Sequence, residues 1–239
     1  MGFPTENVVL RRSHERGYFD HGWLKTYHSF SFGDYYDPDF MGFHHLRVLN
    51  EDFIAAGRGF TKHPHNDMEI FTYVLEGSLE HQDSMGNTSV IHAGEVQKMT
   101  AGTGIYHSER NHSSSQPIHL LQIWILPNKK GLAPSYQQFA LQSGDSSRPV
   151  ELIGSPKGSE KVLQFHQDVE VYRGLMKKEM QHQHSVGSAR SVWIQIIKGI
   201  LKAGAYELKD GDGLGMHVSS GFALQALDDT EFLLFDFKN

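Results

Sequence analysis

An all-β chain of two tandem barrels is the fold class this sequence predicts, and three observations predict it. Short β-branched and aromatic runs recur from end to end, glycine-centred turns separate them, and the two halves echo each other. The runs include 27–32 (YHSFSF), 70–75 (IFTYVL), 118–126 (IHLLQIWIL), 192–197 (VWIQII) and 231–237 (EFLLFDF). Turn chemistry stands between them at Met85-Gly86-Asn87, Lys202-Ala203-Gly204 and Asp210-Gly211-Asp212-Gly213. The echo pairs Val74-Leu75-Glu76-Gly77-Ser78-Leu79 with Ile196-Ile197-Lys198-Gly199-Ile200-Leu201, and Ala93-Gly94-Glu95 with Asp210-Gly211-Asp212. Between the halves, residues 127–160 are rich in Gly, Pro, Ser, Lys and Gln, with a short element expected around Tyr136–Leu141. That composition predicts an inter-domain connection, with domains at 1–135 and 136–239.

Composition narrows the chemistry. The formal charge of −6 comes without any basic run, so neither nucleic acid nor an anionic membrane surface is an expected partner. No apolar run is long enough to span a bilayer and the start of the chain lacks a secretory pattern, so a cytoplasmic location is expected. Zero cysteines exclude thiolate catalysis and sulfur-ligated metals. Any metal must therefore sit on nitrogen and oxygen, and 16 histidines offer an ample supply of imidazole.

Two segments give that supply a pattern. Gly59-Phe60-Thr61-Lys62-His63-Pro64-His65 places two histidines at i and i+2, where an extended chain turns both side chains to one face. Gly104-Ile105-Tyr106-His107-Ser108-Glu109 repeats the arrangement with a histidine and a carboxylate. On neighbouring strands these pairs supply three nitrogens and one oxygen and leave coordination positions open. Such a set suits iron(II) and other divalent first-row metals, with manganese, nickel, copper and zinc as alternatives. Glu69 shares the parity of His63 and His65 and is a candidate ligand or a neighbour of the ligands. His44, His45, His81, His92, His112, His119 and His166 lack a partner at ligand spacing and are expected to be solvated or hydrogen-bonded in place.

The two segments resemble the paired motifs of cupins, and HPH followed by HSE resembles the pirin family in particular. The resemblance extends through Gly22-Trp23-Leu24, Tyr27-His28-Ser29-Phe30-Ser31-Phe32, Tyr35-Tyr36-Asp37-Pro38, Leu46-Arg47-Val48, Glu80 to Asn87 and Ala101-Gly102-Thr103-Gly104. From Val192 to Phe237 the chain looks like the short bacterial pirin-like proteins described as quercetinases. The resemblance implies two cupin barrels, each a double-stranded β-helix, with the carboxylate ligand drawn from the second motif as Glu109. It further implies a dioxygenase that opens the central ring of flavonols such as quercetin and releases carbon monoxide. Glu109 would also act as the catalytic base, loosening to take the flavonol 3-hydroxyl proton. The alternative implied by eukaryotic pirins is a metal-bound regulator that contacts a protein partner and turns over nothing.

The second half departs from the metal-binding pattern. Counting back from Gly199 as His63 and His65 precede Gly77 lands on Ser185 and Gly187, and counting forward from Gly211 lands on Leu224. None of these is a ligand. His182 and His184 form an HxH, but no carboxylate follows at the required spacing, so no second metal site is expected.

Overall fold

The chain turns most sharply where glycine alone is comfortable: Gly77 (φ 80°), Gly94 (φ 82°), Gly199 (φ 91°) and Gly211 (φ 78°) all occupy the left-handed region. These are the four glycines of the internal echo, and each ends one strand and releases the next. The computed structural model describes residues 8–142, 147–187, 189–218 and 220–238. Among them run β1 Val8–Arg11, β2 Gly17–Asp20, β3 Leu24–His28, β4 Leu46–Ile54, β5 Gly59–His65, β6 Glu69–Glu76, β7 Ser78–Asp83, β8 Thr88–His92, β9 Glu95–Thr100, β10 Ile105–Asn111, β11 Ile118–Ile125 and β12 Ser135–Ala140. The order continues with β13 Val150–Ser155, β14 Leu163–Gln164, β15 Val169–Met176, β16 Gln181–His184, β17 Arg190–Lys198, β18 Leu201–Ala203, β19 Tyr206–Leu208, β20 Gly213–Val218, β21 Phe222–Ala226 and β22 Thr230–Lys238. One 3-10 turn at Ser13–Glu15 is the helical element among the described residues.

Two cupin barrels result, one per compact unit. The first comprises Gly17–Leu141, and the second comprises the chain from Gln142 onward together with β1 and the 3-10 turn. In the first, the order β12-β9-β6-β11-β4-β3-β2 faces a four-stranded sheet β5-β10-β7-β8. In the second, β1-β20-β17-β22-β15-β13-β14 faces β16-β21-β18-β19. Strand for strand the two orders match, so β6 corresponds to β17, β9 to β20, β11 to β22, β5 to β16 and β10 to β21.

The boundary differs from the expected division at 135/136. Part of the presumed connection is β12, which pairs along β9 from Ser135↔Thr100 to Ala140↔Glu95. The Tyr136 hydroxyl fastens it, donating to Gln97 Oε1 at 3.0 Å. The first residues belong to the second barrel, because β1 closes the β20 edge from Val8↔Met216 to Arg11↔Gly213. Arg12 Nη1 donates to Asp212 Oδ2 at 2.7 Å and the Ser13 amide donates to Oδ1 at 2.8 Å, fixing that edge. In each barrel the otherwise free edge is thus covered by a strand lying outside the repeated set.

The interiors differ. In the second barrel, Ile194, Leu214 and Leu234 lie side by side on adjacent strands within one continuous apolar core. Their counterparts in the first are Thr72, Gln97 and Gln122, likewise side by side. That polar layer separates an apolar cluster around Val74, Leu79 and Leu120 from another around Ile70, Met99 and Ile105. Burying such groups is costly unless each is paired, and here they converge on a single carboxylate.

Candidate metal centre

Strand β5 delivers His63 and His65, and β10 delivers His107 and Glu109. The two strands pair with His107 opposite His63, and a register shift between His107 and Glu109 adds an extra residue on β5. Gly59 permits this approach, since a Cβ there would lie 2.2 Å from the Glu109 carbonyl oxygen. The three imidazoles meet with ring centroids 4.5 Å (His63 to His107), 4.8 Å (His63 to His65) and 4.9 Å (His65 to His107) apart. One nitrogen from each lies within 4.8 Å of the others. Thr61 accepts a 2.7 Å hydrogen bond from His63 Nδ1, which leaves Nε2 as the free lone pair.

His65 and His107 are disposed to the neutral form that metal ligation requires. Burial, reinforced by His107 and His63, lowers His65 to about 4. His107 is lowered by burial and His63 against the opposing charge of Glu109. Both ring nitrogens of His107 are buried without a hydrogen-bond partner in the protein. A neutral imidazole gives an ion one lone pair, and His107 has a buried ring nitrogen with no partner in the protein to give, so the donor set fits a metal.

Glu109 joins the cluster from the other side of His107, forming a second potential ligand group with His107 and His81. Its two oxygens are each taken by an amide: Gln97 Nε2 donates to Oε1 at 2.6 Å and Gln122 Nε2 to Oε2 at 2.8 Å. Thr72 Oγ1 receives from Gln97 at 3.2 Å and donates to Gln122 Oε1 at 3.1 Å, tying the two amides together. His81 Nδ1 stands 3.9 Å from Glu109 Oε1. Burial alone would raise the Glu109 pKa, but His81, His107 and Gln122 outweigh it and hold the carboxyl at about 2.

His81 itself is buried, stacks on Tyr136 at 4.9 Å and 28°, and pairs through Nε2 with Asp83 Oδ2 at 3.2 Å. Burial opposes its protonation, and the charges of Glu109 and Asp83 overcome this and raise its pKa.

Glu69 is elsewhere. Parity does not carry from β5 to β6, because the chain turns at Asp67 (φ 47°) and the two strands lie in different sheets. On β6, Glu69 points to the face opposite Thr72 and pairs with the buried Lys98 ammonium, with Thr100 Oγ1 donating to its carboxylate at 3.2 Å.

Beside the imidazoles opens a cavity of about 1100 Å³, walled by Trp23, Phe32, Phe60 and Trp124 and bordered by Arg58 and Arg110. The Trp124 ring meets His65 edge-on at 4.9 Å, and Phe32 meets Trp124 edge-on at 5.3 Å.

Comparison with known proteins matches this architecture part by part. A family model described as Pirin matches residues 9–125, and one described as Quercetinase C-terminal cupin domain matches residues 152–237. A quercetin 2,3-dioxygenase of Escherichia coli is 48% identical over 229 residues, covering 96% of this chain and 98% of that protein. The chain is a member of the pirin family. Among further relatives of this pirin, a Pirin-like protein of Caulobacter vibrioides is 38% identical over 91% of the chain and 94% of its own length. The crystal structure of the bacterial pirin YhhW of E. coli in complex with nickel(II) superposes with a TM-score of 0.92 at 47% identity, covering 97% of this chain and 99% of that one. A Lactobacillus farciminis oxalate decarboxylase, at 12% identity and a TM-score of 0.66, shares the fold alone.

Of the sequence-expected site residues in this pirin, His63, His65 and His107 converge directly, and Glu109 reaches the cluster through His107. His81 was expected only to be solvated or hydrogen-bonded in place, without its position beside Glu109, and Gln97 and Gln122 carried no expectation. His81 had a partner at i+2 in Asp83. The amides were visible in the internal echo, where Gln97 follows Gly94 at the interval by which Leu214 follows Gly211.

The second HxH also needs correction. The count to Ser185 and Gly187 is displaced, because the link between β16 and β17 is longer than that between β5 and β6. By strand pairing it is His182 that faces Leu224, as His63 faces His107. The histidines thus kept their strand while their partners became core. Leu224 and Ala226 are fully buried, and the described residues of the second barrel bring no three ligand-type groups together.

Proposed function

We propose that this pirin is a metal-dependent dioxygenase that cleaves flavonols such as quercetin, with His63, His65, His107 and Glu109 holding one divalent ion, iron(II) in the first place. The observation that carries the reading is the juxtaposition of three converging imidazoles with an aromatic-walled cavity of about 1100 Å³, ample for a three-ring substrate. The relatives named quercetin 2,3-dioxygenase support the substrate class, and the nickel(II) complex of YhhW supports a bound divalent metal.

A bound divalent ion supplies Lewis acidity toward the flavonol oxygens and access to dioxygen. The protein's own part is positioning and proton handling. Trp23, Phe32, Phe60 and Trp124 sandwich the planar rings and keep water from the reacting carbon. His81, His107 and Gln122 hold the Glu109 carboxylate ionised, and Gln97 and Gln122 aim it. Glu109 accepts the proton of the 3-hydroxyl, leaving the electron-rich flavonolate that dioxygen attacks. Both oxygen atoms enter the organic product, and one ring carbon leaves as carbon monoxide.

The test is elemental analysis of purified protein, then oxygen uptake and carbon monoxide release with quercetin. Glu109→Gln is expected to keep the ion in at least part of the molecules and to lower turnover by about 100-fold or more. Metal-replete Glu109→Gln with undiminished turnover would remove Glu109 as the base. No oxygen uptake by metal-replete wild-type protein with any flavonol would remove the dioxygenase reading.

A further inference from the structure

A second cavity, of about 160 Å³, lies in the first barrel between β3, β4 and the aromatic wall of the candidate metal centre. Its floor is polar. Strand pairing sets Thr26 beside Asp52 and His28 beside Asn50, and all four side chains are more than nine-tenths buried. Asp52 Oδ1, Asn50 Oδ1, His28 Nδ1 and Thr26 Oγ1 have no hydrogen-bond partner within the protein. Buried polar atoms are nearly always paired, so four orphans converging on one void call for a ligand or ordered water. Its walls are apolar and flat: Phe19 and Phe32 each stand 5.5 Å from the His28 ring, and Phe60 completes the lining.

Two features fix the chemistry of the occupant. Asp52 Oδ1 and Asn50 Oδ1 offer acceptor oxygens and Thr26 Oγ1 a hydroxyl, so the occupant needs a group that both donates and accepts, as a phenolic hydroxyl does. Phenylalanine faces on the sides favour an aromatic ring, and the volume is too small for a whole flavonol but sufficient for one substituted ring. Phe32 and Phe60 line this cavity and the larger one alike, so a molecule lying against the imidazoles has this compartment next to it. The structure keeps Asp52 at a cost, since burial and the charges of Glu109 and Glu51 push it up to about 7 while the Thr26 hydroxyl offsets only part. A carboxylate oxygen held in such a place without a hydrogen-bond partner in the protein is explained by what it binds.

We infer that this cavity receives a hydroxylated aromatic ring, whose hydroxyl groups donate to Asp52 and Asn50 while its faces lie against Phe19, Phe32 and Phe60. Resting on the flavonol reading, it is then the subsite for the dihydroxylated pendant ring of quercetin and sets preference among flavonols by the hydroxylation of that ring.

Two measurements on the metal-loaded full chain test this, using wild type, Asp52→Asn and Asn50→Ala. The first is calorimetric binding of phenol and resorcinol, neither of which chelates one ion through two oxygens, against anisole. Phenol and resorcinol should bind wild type about 10-fold more tightly than anisole, and both variants should lose that margin. The second is the ratio of kcat/KM for quercetin to that for a flavonol with an unsubstituted pendant ring, which should fall about 10-fold or more in each variant. A raised thermal midpoint for Asp52→Asn should accompany the loss, whereas a purely structural Asp52 would give a lowered one. Variants that bind phenol as wild type does, or anisole bound as well as phenol, would overturn the assignment. If the binding margin behaves as expected and no flavonol is turned over, the dioxygenase reading fails and the ring site stands. If flavonols are turned over with an unchanged ratio in both variants, the ring site fails and the dioxygenase reading stands.

Discussion

A carboxylate at the centre of a barrel survives there only because of the groups around it. Glu109 has an amide on each oxygen, and its neighbour His107 has two nitrogens with nothing to meet. Replacing Gln122 by Leu would free one carboxylate oxygen to swing and leave Thr72 without its acceptor. Metal affinity of Gln122→Leu, measured by competition with a chromogenic chelator, is expected to fall about 10- to 100-fold while the circular dichroism spectrum is kept. Asp52 gives a pH signature of the opposite kind. Its folded-state pKa is raised from 3.8 to about 7, first by desolvation. The folded state therefore holds this proton after the unfolded state has released it. The stability associated with it is present below pH 4 and is lost as pH rises toward 7, by at most about 4 kcal/mol. Urea unfolding at pH 5 and pH 8 should show this loss in wild type, and Asp52→Asn should lack that share of it.

Between strands, precision depends on close backbone approach. β5 can lie against β10 only because residue 59 has no side chain, the nearest atoms being the Glu109 carbonyl and the Arg110 Cα. Gly59→Ala should push the strands apart, lowering the melting temperature by several degrees and weakening metal binding together with it. Calorimetry with and without added metal would read both effects. Element by element, the sequence was most informative where local chemistry and tertiary position agree. The four echoing glycines end strands because their backbone requires positive φ, and the HxH and HxE pairs share faces because alternation within one strand is strict. It was least informative where position depends on a partner far along the chain. Glu69 kept the parity of His63 across a turn that cancels parity. Residues 29–32 continue an aromatic run but leave β3 at His28, where the chain bends instead to pair Phe32 with Tyr35. β12 has a linker's composition, and it docks through the Tyr136 hydroxyl, reaching Gln97 and Ser89, and through the Gln138 amide, donating to Val90 and Glu95.

The two barrels of the molecule share a strand order and differ in what fills it, so their responses to metal should differ too. An ion bound only by the native first barrel stabilises that barrel by mass action, by about 4 kcal/mol at a free concentration 1,000 times its dissociation constant. Hydrogen exchange with and without chelator is expected to show protection lost from peptides within Gly17–Leu141, above all β5 and β10, with peptides from β16 to β22 unchanged. Equal loss in both units would contradict a single site.

The apolar middle layer of the second barrel is also a recipe written in reverse. His182 and His184 already occupy the strand that corresponds to the one carrying His63 and His65 in the first barrel. Restoring a third ligand and a carboxylate at Leu224 and Ala226 alone would bury an acid among hydrocarbon. A working transplant must therefore convert Ile194, Leu214 and Leu234 to the Thr, Gln and Gln found opposite. The smallest unit that can be moved between these barrels is not a set of ligands but a layer of the core.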